Sequence, residues 1–249
     1  MIAKRRIAFI DECRGFIVVL MVFYHFIFDL QEIFGVDVLL FNTAYRLALI
    51  FFIGGSFILI SGISSNFSKN NLKRGLICFG FGMILTLATR AFMPEMTINF
   101  GILHFLGVAM ISSHFLKKIV DKINIKIGLC FNFLLFLFTL NIGNGYLGFE
   151  QTFSLYLPKK LYELSFLFPF GICREDFISG DYYPIIPWIF LFFIGTFLGK
   201  AIVKCNLPEF FYKIHCKALS FIGKNSLLIY LLHQPIIYGI LYLLFSIKR

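Results

Sequence analysis

Seven apolar runs, near residues 7–31, 44–66, 74–93, 99–120, 125–141, 183–203 and 225–246, constrain this chain more than any other feature. Each has roughly the 20 residues that carry an α-helix across the hydrocarbon core of a bilayer. Lipid offers the backbone no hydrogen bonds, so such a chain must satisfy its own peptide groups, and consecutive helices do so. The expected fold class is therefore all-α: a polytopic membrane helix bundle of about seven transmembrane helices, with residues 1–249 forming one integral-membrane domain. A composition of 59% hydrophobic residues, with 35 phenylalanines, excludes an ordinary soluble domain. The fifth run is the weakest, being short and followed by Asn141, Gly143, Asn144 and Gly145.

Basic residues set the expected orientation. They gather at Lys4, Arg5 and Arg6, at Lys69, Lys73 and Arg74, at Lys117, Lys118, Lys122 and Lys126, and at Lys200, Lys204, Lys213 and Lys217, which is every second boundary. By the positive-inside rule the N-terminus is cytoplasmic and the C-terminus outside. The formal net charge of +10 thus reflects short loops that meet anionic lipid head groups, and nucleic acid is not an expected partner. The first apolar run is too long and too charged for a cleaved signal peptide and lacks a small-residue cleavage site, so it is expected to be retained. Six cysteines show no CxxC pair and no metal-ligand spacing, and five fall in the cytoplasmic half; neither a disulfide framework nor a metal is expected. The one long connection, about 142–182, is extracytoplasmic on this topology. Its aromatic residues and mixed charges (Lys159, Lys160, Glu163, Arg174, Glu175, Asp176, Asp181) fit either a substrate-contacting lid or a packed cap.

Ionisable residues are costly inside a membrane, yet the first span carries Asp11, Glu12, Arg14, His25 and Asp29. At about 100° per residue from Asp11, Arg14 falls near 300°, His25 near 320° and Asp29 near 0°, with Val18 and Val22 filling the stripe between. One face therefore has polar groups at both ends and an apolar middle, with Arg14 and His25 about 16 Å apart along the axis. His25 and Asp29, four apart, can touch, and a carboxylate beside an imidazole is the arrangement of a general base. The same pair also suits a buried histidine that only ties helices together. Asp11 and Arg14 suit an i,i+3 ion pair anchoring the helix end, and equally a guanidinium that recognises phosphate.

Further polar residues fall at the level of His25. Arg46 opens the second span, Arg90 closes the third, His104 sits early in the fourth, and Asp181 and Trp188 introduce the sixth. Singly, each arginine can be read as snorkelling to the interface; two arginines, two histidines and two aspartates at one level point to a cavity. The last span stacks Ser226, Tyr230 and His233, followed by Gln234 and the helix-distorting Pro235, a stripe that must face protein or a cavity. Gly54, Gly55, Ser56, Ser61 and Gly62 give the second span a surface for close helix contact.

These elements together resemble the heparan-α-glucosaminide N-acetyltransferase catalytic-domain family and its bacterial relatives among transmembrane acyltransferases. The resemblance rests on DECRGFIVVLMVFYHFIFDL at 11–30, FFIGGSFILISG at 51–62, FGILHFLGVAM at 100–110, DYYPIIPWIFLFFIGTFLG at 181–199 and GKNSLLIYLLHQPI at 223–236. It implies a multi-pass enzyme, bacterial in type, that moves an acyl group, acetyl first of all, from cytosolic acetyl-CoA or another acyl-CoA to a hydroxyl or amine of an extracytoplasmic glycan or cell-envelope acceptor. It assigns His25 as catalytic base; the reading of the residues themselves adds the rest of the site, with Asp29 and His104 beside His25. Asp11, Arg14, Ser226, Tyr230, His233 and Gln234 go to the coenzyme, and Arg46, Arg90, Asp181 and Trp188 to the acceptor. Direct transfer in a ternary complex is the expected route, with an acyl-histidine intermediate as the variant; a homodimer is left open. The rival is a proton-coupled transporter of a small polar solute, since buried His, Asp and Arg also make proton relays. No inverted repeat across the seven spans supports it.

Overall fold

The computed structural model describes residues 6–38 and 43–246. Lys4 and Arg5 of the first basic group, and the termini Met1 and Arg249 to which the charge pattern assigns opposite sides, lie outside the described residues. Among the described residues seven helical stretches are long and apolar enough to cross a membrane. They are α1 (Ala8–Glu32), α2 (Thr43–Ser65), α3 (Asn71–Phe92), α4 (Ile102–Lys122), α5 (Ile125–Thr139), α6 (Ile185–Lys204) and α8 (Ser226–Ser246), with a short α7 (Lys217–Lys224) before the last. The fifth span reaches its length only with the 3₁₀ turn Ile142–Asn144 that follows α5. The chain divides into two compact units, Met1–Ile60 with Leu207–Arg249, and Ser61–Asn206, so the division falls inside α2.

In the first unit α1 packs on α7 and α8. Ile17, Val18, Met21 and Tyr24 repeat at helical spacing and pack with Ile53 of α2, flanked by Leu49, Phe57, Ile222 and Ile229. Glycine sets the approach of α1 to α7: a Cβ on Gly15 would overlap the Leu219 carbonyl, and one on Gly223 the Asp11 carbonyl. The apolar run near 225–246 does not mark α7 as a separate element. The break comes at Asn225, whose Nδ2 donates to the Phe221 carbonyl at 2.9 Å and closes the helix. At the other end of α7, buried Glu12 accepts from the backbone N–H groups of His215 (2.6 Å) and Cys216 (2.9 Å). A carboxylate before a helix N-terminus is favourably placed against the dipole.

In the second unit α3 packs on α4, α5 on α6, and α4 on α6. Val120, Phe193 and Phe197 form a core with Leu129 and Ile189. Asn66 donates to the Thr196 carbonyl at 2.8 Å, and Gly62 and Gly199 let the backbones of 61–65 and α6 come together. Lys200 ends in an α4 terminus: its Nζ donates to the carbonyls of Val120 (2.8 Å), Asp121 (2.9 Å) and Ile123 (2.7 Å). All three ammonium protons are thereby used on orphan carbonyls at the negative end of the helix dipole.

The long connection is ordered rather than open. It contains an antiparallel hairpin, β1 (Tyr146–Phe149) and β2 (Phe153–Tyr156), with Tyr146 opposite Tyr156. Phe153 stacks on Phe138 of α5, Tyr162 donates to the Ile142 carbonyl, and Tyr182 donates to that of Phe168 at 2.6 Å. Its end is stitched to 97–102 by Gly180 N–H to Thr97 O (3.2 Å), Asn99 Nδ2 to Ile178 O (3.0 Å) and Tyr183 N–H to Phe100 O (3.0 Å). All six cysteines are free, and burial pushes the Cys173 thiol, 2.9 Å from the Tyr182 hydroxyl, above its ordinary value.

Replacing Lys200 by Met keeps the aliphatic stem and removes the donor from three carbonyls. Stability should fall by about 1.5–3 kcal/mol, the usual worth of a hydrogen bond to a charged group. It is read as earlier thermal unfolding in detergent, and an unshifted transition would contradict the capping role.

Candidate active site

The α1 face that reads as polar in the sequence turns inward within its unit. Asp11 and Asp29 are 5% and 0% exposed, Val18 between them 1%, and His25 and Arg14 are half-buried. At the far end of this face α8 lies alongside, and the polar residues of the two helices meet.

His25 and His233 face each other with ring centroids 4.8 Å apart. Tyr24 and Tyr230 flank the pair at 5.4 Å from His25 and 5.6 Å from His233. His233 Nδ1 lies 2.6 Å from the Tyr230 carbonyl, which can only accept, so Nδ1 carries the proton and Nε2 is left as an acceptor. Pro235 has no N–H, so the helix gives up a bond in this same turn.

Asp29 differs from the sequence expectation. Its two oxygens accept from Gln234 Nε2 at 2.8 and 3.0 Å, and among the described residues no hydrogen bond joins it to His25. Spacing four apart allows the His25–Asp29 contact. However, a fully buried carboxylate needs a donor, and the side-chain amide of α8 reaches both of its oxygens. His25 takes the other histidine as its neighbour.

One turn further along the same face, Glu32 accepts from Arg46 at 2.5 Å, and the Arg46 guanidinium lies 5.1 Å from the centroid of the Phe28 ring. Arg46 is thus ion-paired rather than merely snorkelling. Glu32 was missed, although at about 300° on the same wheel it extends the stripe.

At the opposite end Asp11 holds two guanidiniums, Arg6 at 2.6 Å and Arg14 at 3.3 Å, and Arg14 also donates to the Gly223 carbonyl at 3.5 Å. The bond to Asp11 raises the Arg6 pKa above its ordinary value. Glu12 was also missed as a structural residue; nothing local reveals that its partners lie some 200 positions away. Ser226 is the first residue of α8, half-buried.

The remaining expected site residues belong to the second unit. His104, 2% exposed, accepts from the Gly101 N–H on Nδ1 at 3.2 Å, so Nε2 carries the proton toward Thr86 Oγ1 at 3.3 Å, which donates to the Ile98 carbonyl at 2.6 Å. Nδ1 thus serves the start of α4, and Nε2 faces Thr86 of α3. Asp181 Oδ2 accepts from the Ile102 N–H at 2.9 Å, capping the same helix. Trp188 packs against Tyr183 and Phe136 at 5.3 and 6.0 Å, and Arg90 is exposed in the last turn of α3.

Within the first unit, then, the structure brings together His25, Asp29, Tyr230, His233 and Gln234 at one end of α1 and Asp11 with Arg14 at the other. No group of His, Cys, Asp and Glu among the described residues has the arrangement of a metal site.

Comparison with known proteins found no match among curated sequences and none among solved structures. A protein-family description, "Heparan-alpha-glucosaminide N-acetyltransferase, catalytic", does match, over residues 6–235. That range takes in α1 and the turn of α8 bearing His233 and Gln234. With nearly the whole chain matched, the protein belongs to the heparan-alpha-glucosaminide N-acetyltransferase catalytic family.

Proposed function

We propose that this integral-membrane, acetyltransferase-like protein moves an acyl group from cytosolic acyl-CoA to an extracytoplasmic acceptor, with His25 as the base. The observation that carries the reading is the His25–His233 pair beside a fully buried Asp29, on a helix whose other end holds Arg14. A transmembrane helix keeps such groups only where they are partnered or used.

In the proposed step a nitrogen of His25 takes the proton of the acceptor hydroxyl or amine as that atom attacks the thioester carbonyl carbon. The tetrahedral intermediate collapses with cleavage of the C–S bond, and the imidazolium returns the proton to the departing coenzyme thiolate. Ester or amide and free coenzyme A result, with no external oxidant or metal. Arg14, about 16 Å away along the helix axis and held by Asp11, is assigned to the coenzyme phosphates, with apolar Val18 and Val22 between.

Two measurements test this. Reporter fusions after Lys118 and after Lys160 should give opposite sidedness, as the charge pattern requires; the same sidedness would remove the cross-membrane scheme. Independently, Arg14→Ala should weaken acetyl-CoA binding by about ten- to a hundredfold, the usual worth of a charge-assisted contact. His25→Ala should leave binding nearly intact and cost about 10²–10⁴ in rate, the usual contribution of a general base. Full transfer activity in His25→Ala would overturn the assignment.

A further inference from the structure

The exposed apolar surface of α5 runs on into the connection that follows it. Ile127, Phe131 and Leu134 are exposed and recur at spacings of four and three, so they form one row along the helix, and Phe138 is its next member. On a helix that crosses a bilayer, such a row faces lipid. The Phe138 ring stacks on Phe153 of β2, with centroids 6.3 Å apart. The hairpin therefore begins where the lipid-facing row ends.

Length puts that point at the membrane surface. The 15 residues of α5 rise about 22 Å and the 3₁₀ turn after them about 6 Å, close to the roughly 30 Å of a hydrocarbon core. The hairpin's own residues suit that level. Its register sets Leu147 opposite Leu155 and Phe149 opposite Phe153, and Phe149, Phe153, Leu155 and Tyr156 are each at least half exposed in the protein. Polar residues hold its tip, Glu150, Gln151 and Thr152, and Lys159 and Lys160 follow its base, all of them exposed. A tip carrying a carboxylate is costly in hydrocarbon. The outer edges of a two-stranded sheet also keep backbone groups that hydrocarbon cannot satisfy. The head-group layer accepts all of these, because aromatic rings seat at its depth and lysine stems reach along it to phosphates.

We propose that the 146–156 hairpin is a membrane anchor, lying flat in the head-group layer at the C-terminal end of α5. Phe149, Phe153, Leu155 and Tyr156 rest against the acyl chains, and Lys159 and Lys160 reach lipid phosphates. The partner is the bilayer rather than a second copy of the chain, because the face continues the lipid-facing row of α5 and is bordered by the polar tip and the lysines. This part of the long connection is then neither a free lid nor a cap closed on protein alone. It gives the shortest of the spanning helices a second hold on the membrane, whatever reaction the protein catalyses.

The test uses the full-length protein in phosphatidylcholine nanodiscs, with tryptophan introduced as Phe153→Trp, Tyr156→Trp or Glu175→Trp and the emission of Trp188 in the unsubstituted protein as background. Glu175, exposed between the ion-paired Arg174 and Asp176, provides the reference position in water. The readout is the loss of added emission when the lipid is replaced by phosphatidylcholine brominated near the carbonyl end of its acyl chains. Both hairpin probes should be blue-shifted and lose most of their added intensity, while Glu175→Trp keeps its own. Unchanged intensity at the hairpin overturns the proposal, and aqueous iodide then shows what covers the face: quenching means water, and shielding means protein, as a second copy would give. An equal loss at Glu175→Trp also overturns it, since the contact would not be particular to the hairpin. Tyr156→Trp carries the comparison if Phe153→Trp, which alters the stack on Phe138, does not fold.

Discussion

The bond between Asp29 and Gln234 is the interaction on which the rest of this site depends. A carboxylate with no solvent exposure is tolerable only when its oxygens are occupied, and here one amide group reaches both from 205 residues away in sequence. The contact fixes the register of α8 on α1. Because His233 precedes Gln234, the same register places the second imidazole against His25. Cutting the amide would leave a buried, unpaired charge, and the structure would rearrange to relieve it. Holding the helices and assembling the histidine pair are thus one physical event.

The opposite end of α1 is built by different means. There Gly15 and Gly223 allow α1 and α7 to approach at backbone distance, while Glu12 receives the chain as it enters α7 and Asp11 gathers Arg6 and Arg14. Arg14 is therefore presented on a braced turn. A guanidinium braced in this way loses less freedom on meeting a phosphate than a lysine on a flexible stem.

Much of the fold was legible in the sequence because a bilayer imposes a length on apolar runs, and all seven spans begin and end near where those runs do. The inward face of α1 was legible for the related reason that helical periodicity places residues 11, 14, 25 and 29 together. What was not legible were partners at long range. The i,i+4 rule favours His25 with Asp29, but it is blind to an amide on another helix that competes for the carboxylate. Nothing near Lys200 announces the α4 carbonyls, and nothing near Glu12 announces His215 and Cys216. His104 and Asp181 stood out by polarity and by the stretches around them, but the partners they take did not: both accept from backbone N–H groups at the start of α4, and His104 also meets Thr86 of α3. The hairpin at 146–156 escaped because its aromatic strands are only four residues each, too short for alternation to show.

The central claim is that acyl transfer takes place at the histidine end of α1. An experimental structure of the protein with a non-hydrolysable acetyl-CoA analogue tests it most directly. The account predicts the thioester carbonyl beside His25 and the coenzyme phosphates at Arg14. Density for the acyl group remote from His25 would contradict it.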